Sequence, residues 1–179
     1  KSLYIRPSYG CIDSRVERKI VFSKSGSSCG FDTYFNSFTV NVWKNKTIID
    51  DVRLRLEGEG VFIVKIGLHK LHAETRILSE SKIELKKGVH AAVDIPSLSS
   101  FVEGMIFFEL ISLSDKATIT GGCYYTLTPP VREVNLGIVV THFNRKNYVL
   151  PAIERVSSEL LEDEYYSDNI KLIVTAAEI

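Results

Sequence analysis

Cysteine is scarce in this sequence, and the few cysteines form no recognisable pattern. The 179 residues include three cysteines, at Cys11, Cys29 and Cys123. Their number is odd and no two of them form a CxxC pair, so the sequence indicates neither a disulfide framework nor a zinc site. We interpret them as scattered thiols, buried or at the surface.

The sequence also lacks an excess of one charge and a long apolar run. With 22 basic and 22 acidic residues, it has no basic surplus that would attract a nucleic acid. Its longest apolar run, MIFFELISL at residues 105–113, is about half of what a bilayer requires and contains Glu109. The first residues, KSLYIRPSYG, have no signal-peptide core. These absences predict a cytoplasmic protein with no nucleic-acid partner.

Strand signals dominate residues 1–128. Short alternating segments with turn residues roughly every 8–12 positions are typical of an antiparallel β-sandwich, jelly-roll-like in arrangement. One hairpin is predicted where Gly58 and Gly60 separate two alternating segments, and a second at residues 87–88. A further break is predicted at Gly121 and Gly122, and residues 23–30 read as a flexible polar loop.

Two adjacent prolines, Pro129 and Pro130, end the β-rich part, because proline cannot donate to a β ladder. We expect residues 129–133 to form a linker.

The last part of the chain, residues 134–179, has the pattern of a β-loop-α-β unit. The run LGIVVT at residues 136–141 is typical of a parallel strand buried on both faces. Apolar residues at helical spacing follow and predict an amphipathic helix that begins between residues 147 and 150, since Pro151 favours a first turn. A second apolar run at residues 170–175 completes the unit. One such unit cannot cover both faces of its strands, so we expect an incomplete α/β domain that continues beyond this chain.

A polar segment, THFNR, lies where the first of these strands gives way to the helix. In open α/β sheets ligands bind outside the carboxyl ends of the strands, where a helix N-terminus favours an anion. Arg145 is suited to a bidentate phosphate contact or to stacking on a base. The alternative is that Thr141 or Asn144 ends the strand and that Arg145 forms a surface ion pair. Spacing alone leaves both interpretations open.

An aromatic cluster, FDTYFNSFTVNVW at residues 31–43, supplies a second candidate surface. Tyr34, Phe35, Phe38 and Trp43 could contact a carbohydrate or another subunit, because aromatic rings suit the apolar faces of sugars. Aromatic side chains in strands more often belong to a core. The pattern therefore favours a core role and leaves the contact surface open.

Other polar clusters favour no reactive site. His69 and His72 lie three residues apart without an HExxH pattern, so we interpret them as a surface pair that binds no metal. Acidic pairs at Asp50 and Asp51, and after the helix at residues 162–164, read as solvated turns.

The sequence VNLGIVVTHFNRKNYVLPAI, at residues 134–153, resembles the opening strand and loop of family 2 glycosyltransferases of the GT-A type. Two upstream segments, at residues 33–66 and 101–125, resemble the N-terminal β-sandwich of the polymerising galactofuranosyltransferases that build cell-wall galactan. The resemblance covers about residues 31–179.

This resemblance implies an inverting enzyme as the parent protein. It would transfer galactofuranose from UDP-galactofuranose to a lipid-linked glycan acceptor with the help of a divalent metal, Mn or Mg. Thr141, Phe143, Asn144 and Arg145 match the loop that contacts the donor nucleotide. A lipid-linked acceptor also implies a peripheral position at the inner face of the membrane, and a homo-oligomer is left open.

The match to the family stops soon after the loop. Thr175 stands where family members have an aspartate that binds uracil, and the Asp-x-Asp metal motif and the catalytic base are expected beyond Ile179. We therefore expect no catalytic residue and no metal ligand in this chain, and no activity of the chain by itself. The alternative function is a non-catalytic β-sandwich that binds carbohydrate or mediates oligomerisation.

Overall fold

The computed structural model describes residues 5–14, 17–131, 135–162 and 170–177. The chain divides into two compact units, an N-terminal unit, Lys1–Pro129, and a C-terminal unit, Pro130–Ile179. The predicted acidic turn at Asp163 and Glu164 and the predicted domain limits at residues 1, 134 and 179 lie outside the described residues.

The N-terminal unit is an antiparallel β structure of ten described strands, which confirms the predicted β class. The strands are β1 Arg6–Pro7, β2 Cys11–Ser14, β3 Lys19–Phe22, β4 Ser28–Phe31, β5 Phe38–Thr39, β6 Arg53–His69, β7 Arg76–Leu85, β8 Ala91–Asp94, β9 Met105–Ser112 and β10 Ala117–Tyr125. Their path is β1-β4-β9-β6-β10-β3-β2, with β5 beside β9 and with β7 and β8 both beside β6.

Strand β6 is the axis of this unit, and it corrects the first predicted hairpin. The segments on either side of Gly58 and Gly60 form one strand of 17 residues. Its first half pairs with β8 and β10, and its second half pairs with β7 and β9. The two glycines have φ of +156° and +121°, so they bend the strand without reversing it. A Cβ atom at Gly60 would approach the Ala117 Cβ to 2.5 Å, so no larger residue fits there without rearrangement.

The other two turn predictions have different outcomes. Residues 87–88 form the predicted turn, which is closed by an antiparallel bridge between Lys86 and Val89, and beyond this bridge β7 and β8 pair with successive parts of β6. Gly121 and Gly122 lie inside β10, where the register against β6 shifts, so they mark a β-bulge instead of a break.

One hydrophobic core lies between the two halves of the sheet. The Phe22 ring of β3 meets the Phe62 ring of β6 edge to face, with centroids 5.2 Å apart, and both side chains are fully buried. The predicted loop at residues 23–30 contributes to this interior, because Cys29 on β4 is also fully buried. Cys11 is buried as well, whereas Cys123 is exposed.

The second half of the aromatic cluster is helical. Helix α1, Val40–Lys46, follows β5 directly, although its β-branched and aromatic residues favour a strand. Val40 is fully buried, and Thr47 closes the helix because its hydroxyl and its N–H both donate to the Trp43 carbonyl, at 2.7 and 2.9 Å.

The C-terminal unit has the predicted β-loop-α-β order. Strands β11, Leu136–Phe143, and β12, Ile170–Ala177, pair in parallel. Helix α2, Lys146–Val156, lies between them and passes into a π-helical turn, Ser157–Leu161. The helix begins one residue before the predicted range, so Pro151 lies in its second turn and not in the predicted first turn. Because proline has no N–H, the Asn147 carbonyl loses its usual donor four residues further along the helix.

Strand β11 is not buried on both faces as predicted. Leu136 and Val139 are 52% and 61% exposed, and exposed and half-buried positions alternate along the strand. The physical reason is the number of covering elements, since the described sheet of this unit has two strands.

The acidic pair before β6 is solvated at Asp50, which is exposed, but both carboxylates also act as structural acceptors. Asp50 accepts hydrogen bonds from the Ser97 hydroxyl and, at 2.6 Å, from the Ser99 N–H. Asp51 accepts from the hydroxyls of Thr126 and Thr128 and, at 3.0 Å, from the Leu127 N–H. Asp51 therefore ties the start of β6 to the segment that follows β10.

The tether at Asp51 predicts a pH-dependent stability. Hydrogen bonds from Thr128, Leu127 and Thr126 lower the pKa of this carboxyl to about 2, against about 3.9 in an unfolded chain. Because the folded pKa is the lower one, the stabilisation is complete above about pH 4 and is lost as the pH falls towards 2. We expect Asp51→Asn to be less stable than wild type at pH 7, and the difference in urea midpoint to shrink between pH 5 and pH 2.

Asp94→Asn is the matched control, since it removes the same charge from a side chain that is 83% exposed. It should unfold close to wild type at pH 7. Equal urea midpoints for Asp51→Asn and wild type at pH 7 would show that the tether contributes nothing.

Candidate functional site

The strand-end segment, residues 141–145, consists of the last three residues of β11 and the two residues that lead into α2. Asn144 has φ of +49°, a left-handed conformation that asparagine tolerates better than most residues. Arg145 occupies the N-cap position of α2, where no side chain caps the helix and no acidic residue lies in the first turn. The partial positive charge of this helix end is therefore not balanced within the helix.

A cavity of about 410 Å³ opens beside this segment. Three of the four predicted site residues line it, namely Thr141, Phe143 and Arg145, whereas Asn144 does not. The geometry of Asn144 points instead to a role in turning the chain. The cavity holds aromatic and cationic groups suited to a planar or anionic ligand.

Two polar lining residues, His142 and Tyr148, were not among the four predicted site residues, although His142 lies within the predicted strand-end segment. The Nδ1 atom of His142 is buried and has no hydrogen-bond partner among the described residues. Tyr148 lies one turn into α2, and the signal for it was its spacing of three residues from Arg145, which brings the two to one side of a helix start.

Thr175 lies beside the cavity's strand, as the register shows. It pairs with Thr141 across the parallel ladder. Paired residues on parallel strands lie at the same level and project to the same face. Position 175 is therefore near the carboxyl end of β12, where the resemblance places the uracil-binding aspartate. Threonine there offers a hydroxyl in place of a carboxylate.

The four aromatic candidates of the N-terminal unit separate into different roles. Phe38 is buried at 9% exposure, whereas Tyr34 and Phe35 are 77% and 67% exposed and Trp43 is 42% exposed. The prediction that these rings belong to the core is correct for Phe38 alone.

Phe35 and Trp43 line one groove of about 400 Å³, together with Tyr125, and Tyr34 does not. Phe38 lies under the groove, where its ring stacks on Trp43 with centroids 5.5 Å apart and planes inclined by 17°. The Phe38 ring also contacts the Tyr124 ring, with centroids 5.6 Å apart.

Tyr124 supports the groove from below. Its hydroxyl donates to the Asn36 carbonyl at 3.0 Å, and burial raises the pKa of Tyr124 above its ordinary value. These contacts fix the groove wall.

His69 and His72 do not form a surface pair. The His69 ring is half-buried and stacks on Phe107 with centroids 4.3 Å apart, and its Nδ1 atom lies 2.7 Å from the Thr75 hydroxyl. Within the described residues no group of three or more histidine, cysteine, aspartate and glutamate side chains could hold a metal ion.

The N-terminal unit matches a known family. The model of the galactofuranosyltransferase 2 N-terminal family aligns with residues 2–127, which is more than half of the chain. The chain belongs to this family. The match covers the bent strand β6 and the aromatic groove, whereas the strand-end segment follows it.

Two curated relatives are similar over most of this chain. The galactofuranosyltransferase GlfT2 of Mycolicibacterium smegmatis is 27% identical over 143 residues, 79% of this chain. GlfT2 of Mycobacterium tuberculosis is 24% identical over 140 residues, 77% of this chain. The chain spans 22% of the length of each relative.

Among solved structures, a family two carbohydrate esterase from Clostridium thermocellum in complex with cellohexaose is similar over 97% of this chain and 51% of its own. Its TM-score is 0.38 at 11% identity, a level that supports no shared property.

The helices of the described residues are too short or too polar to cross a membrane.

Proposed function

We propose that this chain is the N-terminal part of a UDP-sugar-dependent galactofuranosyltransferase that acts on a growing cell-surface glycan. The N-terminal unit is the family's β structure, and the C-terminal unit is the opening of a GT-A domain that continues after Ile179. The enzyme transfers galactofuranose with inversion, and its catalytic base lies in that continuation.

The observation that carries this proposal is the cavity at the carboxyl end of β11. It combines the Arg145 guanidinium, the unbalanced N-terminus of α2 and aromatic surface from Phe143 and Tyr148. A nucleoside diphosphate needs positive charge for its phosphates and a flat apolar surface for its base. Membership of a family named for galactofuranosyltransferases supports the choice of the sugar.

A divalent metal, Mn or Mg, belongs to the complete enzyme in this proposal. We place its ligands in the continuation of the chain, where the family resemblance puts the Asp-x-Asp motif. The residues of this chain bind and orient the nucleotide without it. Arg145 neutralises phosphate charge, and the ring of Phe143 or Tyr148 packs against the base.

Calorimetry tests the proposal. The protein extended through the complete α/β domain is titrated with UDP-galactofuranose in the presence of Mn or Mg, and saturable binding is expected. If no UDP-sugar binds, the result would favour the alternative function. The chain would then be a non-catalytic β-sandwich that contacts a glycan or a second subunit through its aromatic groove.

A further inference from the structure

The aromatic groove of the N-terminal unit has a lining that selects the chemistry of its occupant. No described side chain that lines it carries a formal charge. Around the rings of Phe35, Trp43 and Tyr125 lie neutral hydrogen-bonding groups, those of Asn36 and Thr126 among them. Charged ligands would lose their hydration in such a groove without a counter-charge, so the lining favours a neutral ligand rich in both apolar faces and hydroxyl groups.

Two parts of the groove, Trp43 and Thr126, are held in place by contacts within the fold. One face of the Trp43 indole is covered by Phe38, and 42% of the side chain is still exposed. The backbone of Trp43 is fixed by the two hydrogen bonds from Thr47. On the other wall, the Thr126 hydroxyl is held by Asp51 at 2.8 Å. Trp43 and Thr126 therefore need little ordering when a ligand binds, which lowers the entropic cost of binding.

From these features we infer that the groove between Phe35, Trp43 and Tyr125 binds the glycan chain that the enzyme extends. The choice of an uncharged galactofuranose glycan rests on the proposed function, whereas the neutral aromatic lining stands on the structure. The volume of about 400 Å³ lies within the range of about 300–1,000 Å³ for small-ligand sites. The groove thus holds a short part of a longer chain and leaves the rest outside.

Trp43 reports on this site directly, because it is the one tryptophan of the sequence. The 179-residue chain is titrated with a synthetic galactofuranosyl oligosaccharide while tryptophan emission is recorded. We expect a saturable change in emission, since a sugar ring placed on the indole removes water from it.

A matched pair of variants distinguishes specific binding in the groove from non-specific binding to exposed aromatic rings. Phe35→Ala removes a ring that lines the groove and should weaken binding about tenfold. Tyr34→Ala removes the adjacent, more exposed ring, which packs edge to face on Phe35 but does not line the groove, and should change affinity by less than about twofold. Both side chains are exposed, so both variants are expected to fold.

Three outcomes would overturn the inference. The first is an emission that does not respond to the oligosaccharide up to millimolar concentration, and the second is an equal loss for Phe35→Ala and Tyr34→Ala. The third is a concentration-dependent dimer, detected by light scattering, that Phe35→Ala disperses, because the groove would then hold a second copy of the chain.

The test is independent of donor binding. Glycan binding by a protein that binds no UDP-sugar would leave the groove assignment intact and remove the proposed function. UDP binding without glycan binding at Trp43 would support the proposed function and overturn the groove assignment.

Discussion

Replacing Arg145 by alanine in the protein with the complete α/β domain is expected to weaken UDP binding by about 10- to 150-fold. The basis is one charge-assisted contact, worth about 1.5–3 kcal/mol. Arg145 lines the cavity at the end of β11 and occupies the N-cap of α2, so its loss removes the cation nearest to the proposed phosphate position. Calorimetric titration with UDP measures the change.

Lys146→Ala is the control with the same change in charge. Lys146 is the next residue and is exposed, but it does not line the cavity, so its loss should reduce UDP affinity far less. Arg145→Lys tests geometry against charge, because lysine restores little if the contact is bidentate or stacked. An Arg145→Ala protein that binds UDP like wild type would make Arg145 a surface residue and the site assignment wrong.

The second large effect concerns the core of the N-terminal unit. Phe62→Ala is expected to lower the free energy of unfolding by about 3–5 kcal/mol, the usual cost of removing a buried aromatic ring. Phe62 is fully buried and packs against Phe22 in the core between the two halves of the sheet. Its truncation would therefore leave a new void in this core. Urea unfolding followed by Trp43 fluorescence measures it, since Trp43 lies in the same unit.

Phe35→Ala is the matched control for this experiment. The same truncation at a side chain that is 67% exposed should change the free energy of unfolding by no more than about 0.5 kcal/mol. If Phe62→Ala proves too unstable to purify, Phe62→Leu provides a milder change in the same direction. Equal effects at positions 62 and 35 would contradict the assignment of the core.

The local sequence pattern was sufficient to predict the secondary-structure class of each of the two units. Alternating apolar residues report one buried face of an antiparallel strand, and β-branched runs with a helical stripe between them report a parallel unit. The order of β11, α2 and β12 follows from this periodicity. The placement of Arg145 at a strand end follows as well, because a strand and the next helix fix what lies between them.

Pairing partners were decided by tertiary structure. The sequence around Gly58 and Gly60 suits a hairpin and a bend equally, since both use glycine with positive φ. The bend forms because each half of β6 pairs with a strand that is distant in sequence, the first half with β10 and the second half with β9. Such contacts leave no mark on local composition, so neither the bend nor the bulge at Gly121 could be predicted.

The aromatic cluster shows the same division. The sequence supplies four rings within ten residues, but their exposure depends on helix α1, which turns Trp43 outward over Phe38, and on Tyr124, contributed from β10. Secondary-structure propensity depends on each residue and its neighbours in sequence. A groove forms only when segments that are distant in sequence pack together. The sequence by itself therefore determined which side chains are available for a glycan, and the tertiary structure decided that Phe35 and Trp43 share one surface with Tyr125.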